Sequence, residues 1–348
     1  MSLDDWSAER LPHPDAWDGK RLGVETFAAA EVTSNLQNMS DRLPIIVLAG
    51  SDSHPGAVPA ALSPDAMLAG PKGTFVLRTG RCLAAELVAR IRASQRFAEP
   101  LLLGPRQWYA GKVDCEVSHV EGALIQTLRH LTDILQTRFP ATQPVAVAPC
   151  DILPSSADFQ QLLDVDYAPH AGAKFWWQMI ESEPSAMGAG AWKPSYRLPA
   201  RAGESPRSLY PGHLVIARIG ALRFALLNRM LQLAYRYRNR VLEKRYLGMT
   251  CGVLGTLVRQ DLRNLARLQL PRLTLEIPYT GVRGYFRYRR GQATLREVED
   301  FLARSFLHRR ERRAAGGRPV VISISSVVSF AKDIDTQSEL EEADAPLR

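Results

Sequence analysis

Cysteine is scarce and scattered in this chain of 348 residues. Cys82, Cys115, Cys150 and Cys251 form no CxxC pair and no zinc-like spacing, which argues against a zinc ribbon or a disulfide framework. They read as free thiols of a reducing compartment, so a cytoplasmic protein is expected. No stretch approaches the roughly 18 uncharged apolar residues of a membrane span. No cationic segment with an adjoining apolar run opens the sequence, so a secretory signal is not expected. Walker and GxGxxG patterns are also missing, which removes the P-loop and dinucleotide fingerprints.

What is present suits a large folded core. Hydrophobic residues make up 46% of the chain, and the formal net charge is +8. That excess fits phosphate, nucleic acid or an anionic membrane without choosing among them. Part of it is local, because arginines crowd between residues 272 and 318.

Residues 1–42 are polar and irregular, with Trp6 and Trp17 as possible anchors, and read as an N-terminal extension. PIIVLAG (44–50), EPLLLGP (99–105) and PVAVAPC (144–150) are short continuous apolar runs, the mark of parallel strands buried on both faces. KVDCEVS (112–118) offers another strand. Between them, Leu83, Leu87, Val88 and Ile91, then Leu124, Leu128, Leu131 and Leu135, fall at helical spacing. Ser155 and Asp158 stand as a capping box before FQQLL. This alternation predicts an α/β fold, a three-layer α/β/α arrangement around a mixed, mostly parallel sheet, over 43–165.

The segment 166–317 breaks the alternation and reads as a largely helical middle insertion. Residues 166–212 read as loops and short elements that cover a substrate. Residues 213–248 mix apolar positions with repeated arginines and predict one or two amphipathic helices, packed on the sheet or laid on an anionic membrane surface. The basic stretch GVRGYFRYRRG (281–291) interleaves aromatics with arginines, as stacking surfaces do. It belongs to no recognised nucleic-acid module, and no nucleic-acid partner is expected. RPVVISISSVVSF then supplies a last strand, so that 318–344 return to the core.

Ligands of open parallel sheets gather outside the carboxyl ends of the strands. Two groups of carboxylates occupy such ends: Asp151 after PVAVAPC, and Asp333 with Asp335 after the final strand. A carboxylate there wants a cation or hydrogen-bond donors. Asp151 with Asp335 could share one magnesium ion, which takes oxygen ligands and leaves coordination positions for phosphates. Local alternatives stand beside this: a turn role for Asp151, and a helix cap at Asp335-x-x-Ser338 or at Asp333. Leu48, Ala49, Gly50 and Ser51 form a strand-to-loop junction open to close approach by phosphate. Lys72 in GPKG could neutralise a triphosphate, or be a surface lysine. Lys193 in AWKPSYR could contact an acceptor or the transferred phosphate, or lie beside a packed Trp192.

The order of these pieces resembles the nucleotidyltransferases of the glycosyltransferase-A-like, molybdopterin-guanylyltransferase-like superfamily, which includes sugar-phosphate and polyol-phosphate cytidylyltransferases. IIVLAG (45–50), Lys72 with GRCL (80–83), VAVAPCDILP (145–154) and DIDTQSELEEA (333–343) carry the resemblance. It implies that Gly50 and the loop after it approach the nucleotide and that Lys72 meets its phosphates. It also implies that Asp151 and Asp335 bind magnesium, and that the middle segment recognises the acceptor. The expected reaction is transfer of a nucleotidyl group from CTP or GTP to a phosphorylated sugar or polyol. One departure stands out: the loop SDSHPGAVPAAL lacks the arginine usual in the family. Another basic residue then takes its task, or the protein binds nucleotide without turnover. A second alternative is a nucleotide-sugar-dependent glycosyltransferase, with Asp164-Val165-Asp166 as its Asp-x-Asp motif.

Overall fold

A computed structural model describes residues 42–50, 67–68, 70–122, 124–201, 203–236, 242–266, 268, 270–314 and 317–345. Residues 1–41 of the expected extension, the loop SDSHPGAVPAAL and Ser51 lie outside the described residues.

Eight strands form one sheet: β1 (Ile45–Leu48), β2 (Leu101–Gly104), β3 (Glu116–His119), β4 (Pro144–Pro149), β5 (Phe175–Glu181), β6 (Tyr196–Leu198), β7 (Arg207–Arg218) and β8 (Val320–Ser325). Their order is β3-β2-β1-β4-β7-β5-β8, with β6 paired to β7. Only β7 runs against the rest, since β1 pairs β2 and β4 in parallel, β2 pairs β3 in parallel and β5 pairs β8 in parallel. The helices are α1 (Leu83–Ser94), α2 (Arg106–Tyr109), α3 (Leu124–Arg138), α4 (Ser156–Gln161), α5 (Phe224–Arg236), α6 (Leu242–Ala266), α7 (Leu273–Arg289), α8 (Leu295–Phe306), α9 (Arg309–Ala314) and α10 (Gln337–Ala343).

β1 shows why the core strands read as uninterrupted apolar runs. Ile45 and Val47 pack in one core with Leu87 and Ile91 of α1. Ile46 points to the opposite face, in a core with Leu128, Leu131 and Leu135 of α3. Both faces are covered, so neither can carry polar residues. The mixed, mostly parallel sheet with helices on both faces agrees with the fold expected from the sequence.

The middle of the chain is largely helical from Phe224 to Ala314, as expected, but its first part differs from expectation. Residues 166–212, read as covering loops, supply β5, β6 and the first half of β7 to the central sheet. Trp176 is fully buried in β5, and its Nε1 donates to the Ser323 hydroxyl at 2.8 Å. FWWQMIE shows no alternation because its strand is covered on both sides, and the Pro- and Gly-rich flanks dominate the local pattern. Residues 213–218, read as the start of a helix, instead end β7. Leu214 and Ile216 enter one core, while Val215 and Ala217 pack against the other. The helix α5 starts only at Phe224, past Gly220, where a Cβ would sit 2.8 Å from that of Ala141.

The carboxyl end of β2 leaves room for no side chain. A Cβ on Gly104 would lie 2.6 Å from the Ala49 carbonyl oxygen and 2.9 Å from the Tyr109 ring. Gly104→Ala is therefore expected to cost about 1–3 kcal/mol, as overpacking does. The measurement is the urea midpoint at unchanged slope.

No helix among the described residues is long and apolar enough to cross a membrane.

Candidate active site at the carboxyl ends of β1, β4 and β8

Asp151 follows β4, whose end lies beside that of β1: Leu48 pairs with Pro149, and the Cys150 N–H donates to the Leu48 carbonyl at 2.9 Å. After β8, a short 3-10 turn (Val328–Ala331) brings the chain back across this edge. Ile152 and Asp333 then form an antiparallel bridge, and the Ile334 N–H donates to the Asp151 carbonyl at 2.7 Å. The two distant segments are thus stitched together by backbone. One carboxylate oxygen each from Asp151, Asp333 and Asp335 lies within 4.8 Å of the others.

Lys72 sits between two of these carboxylates. Its Nζ is 2.8 Å from Asp151 and also donates to Asp335. Its short 3-10 turn, Lys72–Thr74, is pressed onto the sheet edge at Gly73, where a Cβ would be 2.7 Å from the Tyr109 hydroxyl and 3.0 Å from the Cys150 sulfur. The turn can lie this close only because residue 73 lacks a side chain.

Lys193 is neither a surface lysine nor a free one. Its side chain is 8% exposed, with Nζ 2.5 Å from Asp333 and 2.9 Å from Glu339. Glu339 also accepts from the N–H groups of Asp335 and Thr336, at 2.8 and 2.9 Å. Thr336, rather than Asp333 or Asp335, caps α10, with Glu339 completing its capping box. The cap frees both aspartates to face the site, where His213, midway along β7, approaches Asp333 at 3.3 Å.

The charges set the protonation. Burial alone would raise the Asp333 carboxyl, but His213, Lys193 and Lys72 hold it well below the usual carboxylate range. Burial and the Asp333 charge push Asp335 up to about 6, against the pull of Lys72. Burial would lower Lys72, yet Asp151, Asp335 and Asp333 together raise it above its ordinary value. His213 is likewise raised, the nearby Asp333 outweighing burial.

A pH dependence follows from Asp333. Because its folded value is depressed, it stabilises the fold above the ordinary carboxylate range and loses that contribution as pH falls through the folded value. Asp333→Asn should weaken the fold at neutral pH and flatten its loss of stability in acid. Urea midpoints of both proteins at neutral and acid pH check this, and parallel pH curves would remove Asp333 as the cause.

The remaining sequence candidates separate. Leu48, Ala49 and Gly50 line the β1 edge; Gly50 is exposed, and a Cβ there would be 3.0 Å from the Thr127 hydroxyl. Asp164 and Asp166 do not belong to the three-carboxylate group. Asp164 pairs with Arg96 at 2.6 Å, and the Asp166 carbonyl accepts from the Ser323 hydroxyl at 3.2 Å. Sequence reasoning grouped Asp333 with Asp335 but gave it no place among the ligands, and it missed His213 and Glu339. The spacing Asp333-x-Asp335 held the signal, since alternate residues of an extended segment share a side.

No protein-family model matches the chain. No curated protein matches it either. Solved structures do. The likeness is to cytidylyl enzymes. The 4-diphosphocytidyl-2C-methyl-D-erythritol synthase of Anaerococcus prevotii is 10% identical, over 88% of this chain and 97% of that one, with a TM-score of 0.37. A CMP:2-keto-3-deoxy-manno-octonic acid synthetase complexed with CTP is 11% identical, over 59% and 85%, at 0.38. The 2-C-methyl-D-erythritol 4-phosphate cytidylyltransferase of Francisella tularensis is 10% identical, over 60% and 85%, at 0.34.

Proposed function

We propose that the protein is a magnesium-dependent nucleotidyltransferase that moves NMP from CTP or GTP to a phosphorylated sugar, polyol or similar acceptor in the cytoplasm. The observation that carries this reading is the meeting of Asp151, Asp333 and Asp335 with Lys72 at one sheet edge. Three clustered carboxylates suit a hard cation that prefers oxygen ligands. Asp151 and Asp335 are the proposed ligands, and Asp333, already balanced by Lys193 and His213, adds negative charge beside them.

An acceptor phosphate oxygen attacks the α-phosphorus, and the bond to the bridging oxygen of pyrophosphate breaks. Magnesium, when bound, neutralises charge on the triphosphate. Lys72, which stands between Asp151 and Asp335, is the residue that would turn its ammonium to the phosphates. Gly50 lets backbone approach the nucleotide. Lys193 holds Asp333 and the acceptor side of the site in place. No side chain forms a covalent intermediate, so catalysis rests on positioning and electrostatics. In this reading residues 43–165 bind nucleotide, 166–317 recognise the acceptor, and 318–344 return Asp335 to the core.

The test is a thermal-shift screen of nucleoside triphosphates and nucleotide sugars with magnesium, followed by pyrophosphate release across phosphorylated acceptors. Stabilisation by CTP or GTP and pyrophosphate release are expected. Stabilisation by nucleotide sugars alone would favour glycosyl transfer, and folded protein that binds no magnesium nucleotide would sink the reading.

A further inference from the structure

The helices α6 and α7 are neighbours joined by residues 267–272. Their inner faces are buried: Val253 and Leu257 of α6 and Leu273 and Ile277 of α7 share one core. Their outer faces are not polar. On α6, Leu254, Val258, Leu262 and Leu265 recur at helical spacing and are 41–61% exposed. On α7, Leu275, Tyr279, Val282 and Phe286 do the same, at 42–76%. Both stripes run toward a connection where Leu268 is 98% and Leu270 65% exposed. Ten of the thirteen exposed large hydrophobic residues among the described residues lie here. Contiguous apolar surface of this kind marks an interaction site.

The charge around the stripes identifies what they meet. From residue 242 to residue 290, which spans both helices, there are ten Lys and Arg against three acids, so this stretch carries most of the formal excess of +8. Two of these acids are occupied internally. Asp261 is buried and accepts from the N–H groups of Leu273 and Thr274, at 3.1 and 2.7 Å. Glu276 pairs with Arg304 at 3.0 Å and Arg312 at 3.5 Å. Beside Leu268 and Leu270 a groove of about 1600 Å³ is lined by Arg223, Arg272, Arg309 and Arg313, with Glu276 as the acid of its lining.

We propose that the α6–α7 pair is a docking surface for an anionic lipid bilayer. Amphipathic helices with apolar stripes among arginines lie at such interfaces, the apolar side chains at the headgroup boundary and the cations on the headgroups. A second copy of the chain is disfavoured, because pairing this face with itself would oppose the excess positive charge. The surface lies further along the chain than most of 213–248, which the sequence offered as packed on the sheet or laid on a membrane. There, 213–218 belong to β7, and α5 buries Leu226, Met230 and Leu233. This inference is independent of the chemistry at the sheet edge.

The test is sedimentation of the full chain with vesicles of phosphatidylcholine, alone or in equal mixture with phosphatidylglycerol, at low and high salt. Binding to the mixed vesicles at low salt, on the order of tenfold tighter than to the neutral ones, is expected. Leu268→Asp with Leu270→Asp should abolish it, with circular dichroism and thermal unfolding unchanged, since both side chains are exposed. In a second variant, Leu268→Trp, brominated lipid in the mixed vesicles should quench fluorescence beyond the wild-type loss. No binding to mixed vesicles at low salt overturns the proposal. So does binding that the tip variants leave intact. A wild-type dimer that becomes monomeric in the Asp variant, without vesicle binding, assigns the face to a second copy instead.

Discussion

Asp151→Asn is expected to lower pyrophosphate release roughly a thousandfold, the several kcal/mol that a metal ion supplies to transition-state charge. The change is nearly isosteric, and the stitching of Asp151 to Ile334 runs through the backbone carbonyl, which Asn keeps. Lys72 retains Asp335 as a partner. Folding should therefore survive, and the loss should appear in kcat with weaker magnesium dependence. The readout is initial rate against magnesium concentration for both proteins. Activity within tenfold of wild type would remove Asp151 from the metal site.

Lys72→Met should separate two properties that usually move together. The Lys72 ammonium stands against Asp151 and Asp335, where a metal cation's charge would be. Removing it leaves carboxylates without that partner, so the free protein loses stability. The same change removes a competing cation, and binding of magnesium or manganese alone should tighten, by roughly an order of magnitude for one displaced charge at this range. Turnover should nevertheless fall by about 10²–10³, since an aimed positive charge is lost from the phosphates. Calorimetry with the metal alone and rate measurements decide the matter. Metal binding that weakens in Lys72→Met would mean that the lysine supports the site rather than competing for it.

The strands and helices of 43–165 were readable because each run carried one unambiguous signal. Ile45–Leu48 is apolar throughout, and the α3 leucines recur every turn. The middle was not readable for a related reason. A strand covered on both faces has no period, and Phe175–Glu181 lay among Pro- and Gly-rich neighbours that suggested loops. His213 escaped notice because the run HLVIARIGALRFALL spans a strand end and a helix start without a strong breaker. Asp151 and Asp335 stood out by their places after apolar runs, and the resemblance put them in one site; what the sequence does not show is the backbone bridge between Ile152 and Asp333 that brings their segments together. Glu339 looked like an ordinary helix residue. Only the fold shows one carboxylate capping α10 and pairing with Lys193.

Lys72 lies 79 residues from Asp151 and 263 from Asp335 along the chain. Contacts that close such long loops form late, because their entropy must be met before the contact exists. A folding intermediate with β1 to β4 in place but β8 undocked would hold Asp151 without Asp335. Metal binding would then report the last docking step of the polypeptide, and its rate in refolding experiments would time the arrival of β8 rather than the collapse of the core.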